Sequence, residues 1–214
     1  MDKELKRSIE AACLEFKEEP MDAYYSSLLA GYIPRLRINK IIKESGNIKN
    51  KKILDIGCEA GYISSKLMKK GADVVGIDVC EPALKKYFTR TAKLPLLAIA
   101  HKMPFKDNVF DNVIASEVIE HMPDINTVLV EIKRVLKPKG KIIITFPNER
   151  LRRKIYPVVK LFGINTDVEK EVTLFDYSFA DIVNKCKKHF RIKKKYSIPF
   201  WFPLTRIVVC ENEK

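Results

Sequence analysis

The stretch LDIGCEAG, residues 54–61, decides the fold that we predict for this chain. It continues a short apolar run at 51–57, typical of a buried strand, into a segment at 62–71 with the character of a helix. Gly57 permits a tight turn, and Gly61 lets the helix approach the strand closely. Such a turn presents backbone N–H groups and a helix N-terminus to a ligand, so the stretch predicts a site for a negatively charged group.

Strands and helices alternate along most of the chain, which favours parallel pairing with right-handed crossovers. Strands are predicted at 51–57, 72–78, 94–100, 110–116, 139–147, 190–200 and 204–212, and helices at 3–17, 34–44, 62–71, 80–92, 123–138, 151–162 and 177–189. Pro20 ends the first helix, and Asp124 caps the fifth. The last two strands are joined by a short loop and are therefore antiparallel. We predict a single doubly wound, Rossmann-like α/β domain whose seven-stranded sheet is mostly parallel with an antiparallel last strand, covered by helices on both faces.

The chain divides into a cover and a core. Residues 1–48 are predicted to be N-terminal helices that form part of a substrate cover, and residues 49–214 the α/β core. A basic insertion at about 148–176 follows the fifth strand. Ligands of this fold bind beyond the carboxyl ends of the strands, so we expect the insertion to contribute to the cover.

The composition indicates a single intracellular domain. The 214 residues suit one α/β unit, the charged N-terminus lacks the apolar centre of a signal peptide, and no long apolar run is present. We therefore predict a cytoplasmic protein without a transmembrane segment. The five cysteines contain no CxxC pair, which favours buried thiols over a disulfide scaffold or a zinc site.

Asp78 ends the second predicted core strand, about 20 residues after the glycine loop. An acid at this place accepts hydrogen bonds from ribose hydroxyls, so it predicts a nucleoside-containing cofactor. A dinucleotide would require glycine or alanine at the positions of Glu59 and Tyr62. Because neither position satisfies the fingerprint, the sequence favours S-adenosyl-L-methionine.

Three segments in the same order resemble the class I S-adenosylmethionine-dependent methyltransferases. Residues 54–61 resemble the first motif of that superfamily, and KPKGKIIITFPN, residues 137–148, resembles its fifth strand. MPFKDNVFDNVIASEVIEHMPD, residues 103–124, resembles the quinone-biosynthesis-type and related small-molecule enzymes. The resemblance implies transfer of a methyl group to a small-molecule or lipid-like acceptor by in-line displacement.

The resemblance also implies roles for the matched residues. The loop from Gly57 to Gly61 would hold the methionine part of the cofactor, Asp55 would lie near its ammonium group, and Asp78 would hold the ribose. Ala100 and His101 would face the adenine, and Ser116 and Glu117 would border the reacting methyl group. The cofactor-binding residues expected on this basis are Asp55, Gly57, Cys58, Glu59, Gly61, Asp78, Val79, Ala100, His101 and Ser116.

Two positions depart from the family pattern. Glu59 replaces the usual middle glycine of the first motif, where a carboxylate would clash with the cofactor, point away from it or bond its ammonium group. Ile99 occupies the place where many relatives have an acid that binds the adenine amine.

The chain contains an E-x-x-E-H motif, and its function has two possible interpretations. The motif consists of Glu117, Glu120 and His121. Subgroups that resemble this segment bind a divalent metal through such residues, and a metal would lower the pKa of a substrate hydroxyl. In many other relatives the motif shapes the pocket floor, and Glu171 stands where a further histidine is often found. We predict no metal, with His121 as the general base and Glu117 as a second catalytic candidate.

The formal net charge of +13 leaves further partners open. A basic surface attracts RNA as well as anionic lipid, and the segment 149–163 mixes arginines with apolar residues as membrane-surface helices do. An RNA methyltransferase and a non-catalytic binding module on the same fold are therefore the alternatives to a small-molecule enzyme.

Overall fold

The computed structural model describes residues 3–18, 31–161, 175 and 177–214, so Pro20 and Glu171 lie outside the described residues. The helices are α1 (Lys3–Glu18), α2 (Tyr32–Ser45), α3 (Tyr62–Met68), α4 (Glu81–Thr91), α5 (Ile125–Val135), α6 (Glu149–Leu161) and α7 (Phe179–Lys187), with a short 3₁₀ helix at Ile119–His121. The strands are β1 (Lys52–Ile56), β2 (Asp73–Asp78), β3 (Leu96–Leu97), β4 (Phe110–Ser116), β5 (Leu136–Pro147), β6 (Arg191–Ile198) and β7 (Thr205–Glu211).

The seven strands form one sheet in the order β3-β2-β1-β4-β5-β7-β6. The pairs among β1 to β5 are parallel, whereas β7 runs antiparallel to both β5 and β6. This arrangement confirms the predicted doubly wound fold. The strand order reverses beside β1 and β4, which is where ligands bind in open α/β sheets.

Alternating side chains of the central strands fill two apolar layers. Val113 and Ala115 of β4 face a layer that contains the buried sides of α5 and α7, whereas Ile114 faces a layer shared with α2 and α3. All three residues are fully buried. Burial on both faces explains why these strands are continuous apolar runs.

Among the predicted boundaries that differ from the structure, two have a clear physical cause. The strand predicted at 94–100 is only Leu96–Leu97, an edge strand that pairs with β2 alone and follows Pro95, which has no N–H to donate. The helix predicted at 123–138 ends at Val135, and β5 begins at Leu136, which pairs with Phe110. Here the partner strand overrides the helical pattern.

The predicted cap of α5 is confirmed. The Asp124 side chain accepts hydrogen bonds from the backbone N–H groups of Asn126 and Thr127 and so caps α5. All five cysteines lie among the described residues, and none of them is in a disulfide. Within the described ranges, every helix is too short or too polar to cross a membrane.

Candidate active site

A cavity of about 190 Å³ opens at the carboxyl ends of the central strands. Its walls come from the loops after β1, β2, β3 and β4, from the end of β5, and from the helices α1, α2 and α6. Eleven of the thirteen candidate site residues line it: Gly57, Cys58, Glu59, Asp78, Val79, Ala100, His101, Ser116, Glu117, Glu120 and His121. Chain segments far apart in sequence therefore meet at one site.

The glycine loop enters the cavity with two left-handed residues. Gly57 has a φ of +65°, and a Cβ atom there would lie 2.5 Å from Cγ2 of Val118, so only glycine fits. Glu59 has a φ of +48°, which a glycine would adopt without strain. Glu59 lines the cavity, and its backbone N–H donates to Oδ2 of Asp78 at 2.8 Å.

Asp78 is held rigidly at the end of β2. Its Oδ1 accepts hydrogen bonds from the backbone N–H groups of Val79 (2.7 Å) and Cys80 (2.9 Å), in addition to the bond from Glu59. Burial raises the pKa of Asp78, although these bonds and the charge of His121 act in the opposite direction. The carboxylate is therefore oriented on the cavity wall beside the glycine loop.

Asp55 and Gly61 do not line the cavity, in contrast to the other expected cofactor-binding residues. Asp55 is 1% exposed, accepts a hydrogen bond from Ser64 at 2.6 Å, and has its pKa raised by burial to about 7. A Cβ atom on Gly61 would lie 2.9 Å from Cδ2 of Tyr87 in α4, so this glycine serves helix packing. The structure places both behind the loop. A role for Asp55 at the ammonium group remains a prediction.

The loop after β3 supplies another wall through Ala98, Ile99, Ala100 and His101. Nε2 of His101 is buried and has no hydrogen-bond partner among the described residues. Burial lowers the pKa of His101, so the neutral imidazole is favoured. Ile99 adds apolar surface to this wall.

Glu117 is the centre of an ionic cluster, which we call the Glu117 cluster and define as Glu117, Arg37, Arg152 and Thr145. Nη1 of Arg37 in α2 lies 3.1 Å from Oε2 of Glu117, and Nη2 of Arg152 in α6 lies 3.5 Å from the same oxygen. Oγ1 of Thr145 in β5 donates to Oε1 at 3.2 Å. Glu117 has a φ of +52°, a strained conformation maintained by contacts from three other elements. The Glu117 carboxylate is thus paired with two arginine side chains.

Glu120 and His121 lie in the 3₁₀ helix and are 5% and 8% exposed. The backbone carbonyl of His121 accepts a hydrogen bond from the Ser8 hydroxyl of α1, which fastens α1 over the cavity. Within the part of the chain that the structure describes, no group of three or more His, Cys, Asp or Glu side chains is placed to hold a metal ion. Glu117, Glu120 and His121 therefore do not converge as ligands there.

Several lining residues were not singled out from the sequence. Arg37 and Arg152 are the most consequential, because both contact Glu117. The cavity-facing side of α1 adds five more: Leu5, Ser8, Ile9, Ala12 and Phe16. The expectation of an N-terminal cover pointed to α1 and α2 as elements, but helical periodicity does not identify which side faces a ligand.

Comparison with known proteins agrees with this geometry. Residues 54–144 match the model of a methyltransferase domain. The ubiquinone biosynthesis O-methyltransferase of Aliivibrio fischeri (strain MJ11) is 27% identical over 135 residues, which cover 58% of this chain and 56% of that protein. The chain thus spans about half the length of the curated relatives it matches.

Two solved structures share the fold over nearly the whole chain. The N-methyltransferase NodS from Bradyrhizobium japonicum WM9, in complex with S-adenosyl-L-homocysteine, has a TM-score of 0.72 at 14% identity and covers 95% of this chain and 100% of that chain. The PH0226 protein from Pyrococcus horikoshii OT3 has a TM-score of 0.69 at 23% identity and covers 92% of this chain and 98% of that one. The chain thus has the Rossmann-like α/β fold of these two structures. The domain match over residues 54–144 and the curated relatives support the class I S-adenosylmethionine-dependent methyltransferase family that the motifs predict.

Proposed function

We propose that this protein transfers a methyl group from S-adenosyl-L-methionine to a small-molecule or lipid-like acceptor. The observation that supports this most directly is the joined pair of Glu59 and Asp78, whose 2.8 Å hydrogen bond fixes the glycine loop against the acid at the end of β2. Both residues line the cavity. The match to a methyltransferase domain and the name of the curated relatives support the same activity.

The residues that line the cavity suit this cofactor. The Asp78 carboxylate fits a ribose diol as an acceptor, and the loop from Gly57 to Glu59 fits the methionine part. The segment Ala98–His101 would surround the adenine with apolar surface, and buried Nε2 of His101 offers it a polar partner. When bound, the cofactor supplies an electrophilic methyl group on a sulfonium.

The chain's own residues would then position the acceptor and receive its proton. Because Glu117 is ion-paired with Arg37 and Arg152, it is poorly suited to serve as a base. His121 lines the cavity, and its imidazole can accept a proton, so we assign it the role of general base. Holding the acceptor in line with the methyl group supplies much of the remaining rate.

The N-terminal helices would form the acceptor cover. Leu5, Ile9 and Ala12 of α1 give the cavity an apolar side, while Arg37 of α2 and Arg152 of α6 lie on its walls. An apolar wall with a few polar groups suits a compact organic acceptor. The curated relatives are named as O-methyltransferases of ubiquinone biosynthesis, which favours a hydroxyl oxygen as the acceptor atom.

Calorimetric titration with S-adenosyl-L-homocysteine, with and without magnesium, tests the cofactor site. We expect micromolar binding in both buffers. Asp78→Asn should weaken it at least about tenfold, because a hydrogen bond to a charged group contributes about 1.5–3 kcal/mol. Asp73→Asn is the matched control, since Asp73 is an exposed aspartate at the opposite end of the same strand.

Binding of the wild-type protein should be followed by transfer of labelled methyl groups to a panel of small phenols. Absence of cofactor binding would contradict the proposal and favour a non-catalytic module. Equal affinities for Asp78→Asn and Asp73→Asn, with both variants folded by circular dichroism, would refute the assigned role of Asp78. Dependence of binding on magnesium would favour the hypothesis that the E-x-x-E-H motif binds a divalent metal.

A further inference from the structure

Two large aromatic residues are exposed to solvent at the turn between β6 and β7. Phe200 is 90% exposed and Trp201 is 65% exposed. Trp201 stacks on Phe202, with ring centroids 6.4 Å apart, and does not enter the core. We call Phe200 and Trp201 the aromatic turn. Isolated exposed apolar residues are common, but two adjacent large aromatics on one turn suggest a contact surface.

A cluster of exposed cations lies on the neighbouring helix α6. Arg150, Arg153 and Lys154 are exposed, and we call them the basic face. Their spacing of three and four residues puts them on the same side of the helix. Arg152, between them, turns instead to the cavity.

Asn148 joins the aromatic turn to the basic face. Its backbone N–H donates to the Leu204 carbonyl at 2.7 Å, and its Nδ2 donates to the Pro203 carbonyl at 2.9 Å. Its Oδ1 accepts from Nη2 of Arg206 in β7 at 3.0 Å. Since α6 begins at the next residue, the two surfaces lie on elements hydrogen-bonded to each other. Pro147, just before Asn148, lines the cavity, so the start of α6 adjoins the active site.

We propose that the aromatic turn and the basic face together dock the protein on an anionic lipid bilayer. Tryptophan and phenylalanine side chains enter the interfacial region of a bilayer, and nearby lysines and arginines attract its phosphate groups. The net charge of +13 adds long-range attraction to the same surface. This inference does not depend on the proposed methyl transfer, because it concerns only where the domain sits.

A lipid surface fits the turn better than a nucleic acid does. A base-stacking site holds its aromatic rings on a sheet face or in a groove, where the nucleotide is bounded on several sides. Phe200 is almost fully exposed, and among the described residues none forms a second wall beside it. A protruding side chain of this kind is suited to insertion.

Trp201 is the only tryptophan of the chain, so its fluorescence reports directly on the docking surface. The full-length chain is titrated with phosphatidylcholine vesicles that contain or lack phosphatidylglycerol. We expect a blue shift of emission and co-sedimentation with the anionic vesicles alone. Phe200→Ala should weaken partitioning about tenfold. Arg150→Gln with Lys154→Gln should weaken it about fivefold per removed charge.

The matched control is the double variant Leu94→Ser and Leu97→Ser at β3. These leucines are 80% and 63% exposed and lie on the opposite edge of the sheet, so their loss should leave vesicle binding unchanged. Absence of a blue shift with anionic vesicles overturns the proposal, even without any variant. Binding that survives Phe200→Ala but is lost in the leucine variant also overturns it. A response of Trp201 to single-stranded RNA and not to vesicles would assign the surface to RNA.

Discussion

The pairing of Arg37 with Glu117 should contribute measurably to stability, because it joins the cover helix α2 to the end of β4 inside the protein. The two side chains are only 10% and 15% exposed. Removing one partner of a buried ion pair costs about 3–5 kcal/mol, since the other charge remains buried. Glu117 keeps Arg152 and Thr145 after loss of Arg37, so we expect about 2–3 kcal/mol for Arg37→Met.

Urea denaturation of the wild type, Arg37→Met, Glu117→Gln and the double variant forms a double-mutant cycle for this pair. The double variant should be more stable than the sum of the single losses predicts, by about 1–2 kcal/mol, because the second substitution removes a charge already left unsatisfied. For a domain of this size, the single loss of about 2–3 kcal/mol corresponds to roughly 5–10 °C in melting temperature.

Lys43→Met provides the control for this cycle, since Lys43 is an exposed cation in the last turn of the same helix. Its substitution should change stability by less than about 0.5 kcal/mol. The reasoning is refuted if Arg37→Met costs no more than Lys43→Met. It is equally refuted if the cycle is additive within about 0.3 kcal/mol, because the pair would then contribute nothing of its own.

Two further predictions concern Asp55 and Gly61, which do not line the cavity. Burial holds the pKa of folded Asp55 at about 7, above an unfolded value near 3.9, so the folded state binds the extra proton and stability falls as pH rises between these values. The stability of Asp55→Asn minus that of the wild type should therefore increase by a few kcal/mol from pH 4 to pH 8, because the wild type alone loses stability over this range. Thermal melts that give the same stability difference at pH 4 and at pH 8 would contradict this. Gly61→Ala should cost about 2–3 kcal/mol, because its Cβ would lie 2.9 Å from Cδ2 of Tyr87 in addition to the left-handed backbone strain of about 1 kcal/mol. A loss of no more than about 1 kcal/mol in urea denaturation would show that packing against α4 is not tight.

The order of elements and the position of the glycine loop follow from local sequence. Apolar runs of strand length, helical periodicity and the turn residues Gly57 and Asp124 act over a few neighbouring positions, so they can be recognised without the fold. Parallel strands then bring their carboxyl ends to one edge. That rule alone places Asp78, Ser116 and Glu117 near a common cavity, as the structure has them.

Other features required the tertiary structure. Arg37 and Arg152 are 80 and 35 residues from Glu117 along the chain, and no local pattern predicts that they share its carboxylate. The reduction of the third strand to Leu96–Leu97 depends on its pairing with β2 alone. Asp55 does not line the cavity, because its position on β1 directs its side chain to Ser64 in α3.

The sequence by itself thus determined the doubly wound fold, and most of the cofactor-binding residues that it predicts line the cavity. Each of these depends on short-range geometry and on the fixed direction of parallel strands. The tertiary structure decided which charges meet at Glu117, which side of α1 faces the cavity, and that Asn148, next to α6, is hydrogen-bonded to the chain just after the aromatic turn. These are contacts between distant elements, and their energies depend on burial and distance, which only the folded chain defines.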